Sequence, residues 1–327
     1  MPRHPQNPII TRADIPAIPP HFCDVSSVFN PGAIRFGDRI ALMLRVQNRG
    51  RETAFIMAFS EDGIHFVFEP ATVILEGLEY LSPMPFHCYD ARITRLDNQY
   101  WIMFAMDTAE GCCLALAVTE DFHRFEFRGI CSEMDVRNGV LFPESIDGFY
   151  YRLDRPNQQE TDGGVLTGTA IRLSKSTDLL NWAAISTLIS GRWHYWDELI
   201  GSGPPPLKTA AGWLHVYHGV ATHFGAANVY QAGVVLLDLN NPGRVLGRSR
   251  QNILEPRELY ETTGQVPNVV FPSGMIAIET DEDGCALPDN PVYLYYGAAD
   301  TCVGLYITTI YDLLQACEPC PNPSGEV

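Results

Sequence analysis

No apolar run in this chain approaches the roughly 20 residues that a membrane-spanning helix needs. Cations are scarce: 22 Lys and Arg stand against 39 Asp and Glu, a formal net charge of −17. Nucleic acid and an anionic membrane surface would both be repelled, so neither is expected as a partner. Helical periodicity is also thin, with one short segment at Ile310–Ala316 ahead of Pro319. The opening Met1-Pro2-Arg3-His4 has basic residues but no apolar core behind them, so no secretory signal is read and a cytoplasmic location is expected. Nine cysteines, an odd count, are then expected as free thiols, with Cys112 and Cys113 buried in an apolar stretch. Cys317-x-x-Cys320 lacks a second pair or a His pair at ligand spacing, so no zinc or redox site is read there. No metal or organic cofactor is expected.

What is present is a repeat. Ser60-x-Asp62, Thr119-x-Asp121 and Ser176-x-Asp178 are each followed, four residues after the Asp, by an aromatic: Phe66, Phe125 and Trp182. The spacing is roughly 60 residues, a little above that of propeller blades. The Asp can close an Asx turn while the aromatic anchors the returning strand. Strand pairs around polar turns accompany it at Gly37-Asp38, Asp97-Asn98, Asp147-Gly148 and Asp281–Gly284, and Lys208–Tyr217 repeats the form to make five. With 46% hydrophobic residues, the 327-residue chain can bury a sizeable core. The expectation is an all-β, five-bladed β-propeller over residues 21–317. A proline-rich extended arm (1–20) would precede it and a tail (318–327) would follow.

The candidate chemistry centres on Asp90, a single carboxylate in Phe86-His87-Cys88-Tyr89-Asp90-Ala91-Arg92. Arg137, Arg155, His218 and Tyr230 lie further on in apolar surroundings. One acid with an anion cradle is what glycoside cleavage by inorganic phosphate requires, whereas hydrolysis needs two carboxylates. Burial beside Tyr89 would raise the pKa of Asp90 and Arg92 would lower it. The bland alternatives are an Asp90 that caps a turn or pairs with Arg92, a solvated Arg137 and a core His218.

Phe29-Asn30, Tyr89-Asp90-x-Arg92, Asn138-Gly-Val-Leu-Phe-Pro143 and Arg155-Pro156 occur in that order. Gly203-Pro-Pro-Pro-Leu-Lys208, Gly212-Trp-Leu-x-x-Tyr-His-Gly219, Leu236-Leu-Asp-Leu239, Val266-Pro-Asn-Val269 and Tyr296-Gly-Ala-Ala-Asp300 follow. From about residue 28 to 306 the chain therefore resembles glycoside hydrolase family 130. These are five-bladed propellers, mostly inverting β-mannoside phosphorylases with a minority of hydrolases. The resemblance implies Asp90 as general acid, donating through a sugar hydroxyl. It implies Arg137, Arg155, His218 and Tyr230 as phosphate ligands, and Asn30, Arg45, Tyr89 and Asp300 around the mannosyl unit. The reaction implied is phosphorolysis of a terminal β-mannosyl unit to α-mannose 1-phosphate, a glycosyltransferase-type activity on a β-mannoside, and a homo-oligomer is compatible with it.

Two departures leave the acceptor sugar open. Pro31 follows Asn30 where some members carry Ser, and Asn157–Gly164 lacks a histidine that some members use near the acceptor. Trp193, Tyr195 and Trp196 suit either acceptor stacking or packing between blades. A β-mannosidase on the same fold is the rival, with Asp197 and Glu198 as its suspected water-activating acids. A non-catalytic sugar-binding propeller is the second.

Overall fold

Strand alternation builds the molecule. In Arg39–Asn48, Leu42, Leu44 and Val46 pack into one inter-blade core while Ala41 and Met43 pack into another. A two-residue period covered on both faces is the pattern of a strand sandwiched between neighbouring sheets. It also places Arg45 on the same face as Met43, at the end of the strand where the core stops.

The computed structural model describes residues 3–157, 159–161, 164–166, 168–223, 225 and 227–320. Five sheets follow one another along the chain as the blades of a propeller. Their central strands are Gly32–Phe36, His87–Leu96, Val136–Leu141, Leu199–Ser202 and Val270–Ala277. These touch from first to second, second to third, third to fourth, and fifth back to first. All five expected strand pairs form, and the three Asp-containing repeats occupy one turn, between the third and fourth strands of blades one to three. In the second blade Asp121 Oδ1 accepts from the backbone N–H groups of His123 (2.8 Å) and Arg124 (3.0 Å), while Thr119 Oγ1 accepts from Phe122 N–H (2.9 Å). Those backbone bonds hold the carboxyl of Asp121 below its ordinary pKa.

The ends of the chain depart from expectation. Arg3 and Ile10 bridge to Tyr306 and Val303, so the N-terminal segment lies on the edge of the fifth sheet and buries Ile10 and Ile18. It belongs to the propeller as a closure. Glu318 and Pro319, from the expected tail, continue the strand that starts at Cys317 and pairs with Val245–Ser249, covering the outer edge of the fourth blade. Residues 321–327 of the expected tail lie outside the described residues. Helix Ile310–Ala316 forms as read, capped by Thr309 and seated on Ile310 and Leu313. Among the described residues no helix is long and apolar enough to cross a membrane.

Candidate active site

A cavity of about 260 Å³ opens at the centre, and all nine candidate residues line it. Two β-bulges aim the residues at its heart. In strand His87–Leu96 the register slips between Tyr89 and Arg92, and Asp90 sits there with φ 58°. In Val136–Leu141 it slips between Arg137 and Val140, and Asn138 sits there with φ 51°. An extra residue in a left-handed conformation turns a side chain out of the ladder, and Asp and Asn tolerate that conformation best. The two bulged residues meet: Asn138 Nδ2 lies 3.5 Å from Asp90 Oδ2, and Asn30 Nδ2 donates to Asp90 Oδ1 at 3.2 Å. Asp300 is a third such residue, with φ 51° in the turn after Pro291–Ala298.

Arg92 does not pair with the Asp90 carboxylate. It is buried and donates to backbone carbonyls, Nε to Gly203 (2.8 Å) and Nη1 to Asp90 itself (2.7 Å). It thereby fastens the bulge to the fourth blade and leaves the carboxylate facing the cavity. Tyr89 likewise turns its hydroxyl away, to Asp107 Oδ1 at 2.7 Å, and offers only its ring. Arg45 lies over the Phe29 ring at 3.7 Å, its Nε buried without a protein acceptor.

Arg137 and Arg155 are direct cross-strand partners. Like charges placed opposite each other destabilise a sheet, so this pairing has no structural merit of its own. Burial, then the facing Arg137, pull the pKa of Arg155 below its ordinary value, and its Nε has no protein acceptor. His218 is wholly buried, and neither ring nitrogen makes a well-formed hydrogen bond to the protein. Burial, then Arg155 and Arg92, hold its pKa well down, so it is a neutral imidazole. Phe271 packs on it, ring centroids 4.5 Å apart, with Tyr230 beyond at 6.3 Å. Burial raises the pKa of Tyr230, which stays a phenol donor. Gly201 makes the approach feasible: a Cβ there would stand 2.4 Å from His218 Cε1 and 2.7 Å from Asn138 Oδ1. These are buried and half-buried donors converging from four strands with too few protein acceptors, which suits a small tetrahedral anion.

The rival acids are elsewhere. Asp197 is wholly buried and saturated by Arg192 (2.7 Å), Arg248 (2.7 Å) and the Tyr217 hydroxyl (2.8 Å). Glu198 bonds Thr222, and neither acid lines the cavity. Among the described residues the cavity-lining carboxylates are Asp90 and Asp300. Nor do the three aromatics reach it. Trp196 stacks on Tyr217, 5.8 Å between centroids, and bonds the Arg250 carbonyl, while Trp193 is 79% exposed. The side chains of 158–164, where the missing acceptor histidine was sought, lie outside the described residues. Asn138, Val266, Val269 and Phe271 also line the cavity; the first three stand in the ordered motifs but carried no expected role, and Phe271 lies outside them.

Residues 1–319 match the family model for glycoside hydrolase family 130, described as beta-1,4-mannooligosaccharide phosphorylase. The beta-1,4-mannooligosaccharide phosphorylase of Ruminococcus albus is 30% identical over 96% of this chain and 89% of that protein. The beta-1,2-mannobiose phosphorylase of Listeria innocua is 29% identical over 97% of this chain and 98% of that protein. The solved complex of Listeria innocua beta-1,2-mannobiose phosphorylase with beta-1,2-mannobiose superposes with a TM-score of 0.82 at 28% identity, covering 96% of this chain and 98% of that one. Fold, cavity and sequence agree, and the chain belongs to glycoside hydrolase family 130.

Proposed function

We propose that the protein is a β-mannoside phosphorylase of inverting type. The observation that carries this reading is the facing pair Arg137 and Arg155, beside neutral His218 and Tyr230 and next to Asp90. Phosphate held by these donors attacks the anomeric carbon while the bond to the leaving oxygen breaks on the opposite face. Asp90 supplies the proton that the leaving oxygen takes. Asn30, Arg45 and Asp300 hold the mannosyl hydroxyls, and the product is α-mannose 1-phosphate. The reaction transfers a glycosyl unit to phosphate and needs no cofactor, because phosphate is already a nucleophile at neutral pH. We place it in the cytoplasm, a reading that the nine free thiols support.

Incubation with β-1,2- and β-1,4-mannobiose, with and without phosphate, tests the reading. Mannose 1-phosphate should form only when phosphate is present. Release of mannose at the same rate without phosphate would make the protein a hydrolase, and no turnover at all would make it a binding propeller.

Asp300 adds a pH signature. Burial lifts its pKa to about 6, the Arg45 charge opposing and the Asp90 charge assisting. Its ionised form accepts hydroxyl hydrogen bonds, so kcat/KM for the mannoside should fall as pH drops below about 6. The Asp300→Asn variant should lose that limb of the profile. An unchanged acid limb in the variant would assign it to another group.

A further inference from the structure

Arg137 is gripped from behind by a network of which only Tyr89 faces the cavity. Its Nε–H donates to Cys112 Sγ at 3.2 Å, and the Cys112 S–H donates to the Val136 carbonyl at 3.3 Å. The thiol thus holds both the side chain of Arg137 and the peptide that precedes it, at the start of the bulge. Cys112 is 3% exposed and pairs across the ladder with Asp107. Asp107 Oδ1 lies 3.7 Å from Arg137 Nη2 and accepts the Tyr89 hydroxyl, whose ring lies 5.7 Å from the guanidinium carbon. With Nε committed to sulfur and Tyr89 beneath, the remaining N–H groups of Arg137 are directed by the fold. Arg155, facing it, repels it, so a guanidinium without this grip would swing outward toward solvent.

We propose that Cys112 is a positioning residue, which aims Arg137 at the phosphate through the acceptor lone pairs of its sulfur. The inference rests on the reading of Arg137 as a phosphate ligand. It makes the second blade, through a thiol that never touches substrate, a determinant of phosphate affinity.

The test is steady-state kinetics on the whole protein, varying phosphate and mannobiose separately. Cys112→Ala should raise the phosphate KM roughly 10–10²-fold, the scale of one hydrogen bond to a charged group. The mannobiose KM should change far less, since the sulfur reaches that side of the cavity only through the Tyr89 hydroxyl, 3.5 Å away and bonded mainly to Asp107. Cys112→Ser, which keeps an acceptor, should recover most of the phosphate affinity. Cys113→Ala removes the neighbouring core sulfur, which is not bonded to Arg137, and should leave the phosphate KM unchanged. Should Cys112→Ala fail to fold, Cys112→Val removes the acceptor while filling the space. An unchanged phosphate KM in the Ala or Val variant, or no recovery by Ser, would overturn the proposal. The two readings fail separately. A wild-type protein indifferent to phosphate sinks the phosphorylase reading, whereas loss of phosphate affinity in Arg137→Ala but not in the Cys112 variants sinks this one alone.

Discussion

Asp90→Asn lowers phosphorolysis of a mannobiose by about 10²–10⁴-fold, the range attributable to general acid catalysis, while phosphate still binds. Asn is the informative replacement because position 90 has φ 58°. Asn tolerates that conformation, so the bulge persists, whereas Ala would strain it. The two oxygens of Asp90 each face an amide donor, from Asn30 and from Asn138, and the variant can keep only one of those contacts as an acceptor. Some mannoside affinity is lost with the other. The decisive comparison is between leaving groups. A sugar alkoxide needs protonation to depart; an activated aryl oxide needs little, so an aryl mannoside should be partly spared. Equal loss on both substrates would mean that Asp90 holds the sugar and donates no proton, and Asp300 would become the acid to test.

The repeat was legible because its chemistry is local. Ser60-x-Asp62 and its two counterparts bond backbone within three residues, so a linear pattern records them. The fourth blade has the same turn, with Asp238 Oδ1 accepting from Asn240 and Asn241. It went unread because Leu236 and Pro242 stand where the hydroxyl and the aromatic would be. The site residues were found through ordered motifs, but their geometry was not legible. That Arg137 faces Arg155 depends on a ladder closed over 18 residues, and that Asp90 and Asn138 bulge toward each other depends on two separate blades. Asp197 misled for the same reason. In a polar stretch it reads as a free acid, yet Arg248, 51 residues away, reaches back to neutralise it. Charge pairing over that distance leaves no mark in the local sequence.

Arg155→Met should abolish phosphorolysis at ordinary phosphate concentrations and leave the protein as stable as before, or more so. The two halves follow from one fact, the register that sets Arg155 against Arg137. Each hydrogen bond to a charged group contributes about 1.5–3 kcal/mol. Losing two from one guanidinium raises the phosphate KM by roughly 10²–10⁴-fold. Met fills much of the same space without charge, so the variant sheds both the repulsion from Arg137 and the cost of burying a guanidinium whose Nε has no acceptor. Residues placed for function at the expense of stability behave this way when replaced. Thermal unfolding with and without phosphate reads both effects in one experiment. Wild type should melt higher as phosphate is added, since a ligand that binds only the folded state stabilises it. The variant should start at the same or a higher temperature and fail to respond. A variant that melts several degrees lower in buffer alone would show Arg155 to be structural. One that still gains stability from phosphate would move the anion site away from the facing arginines.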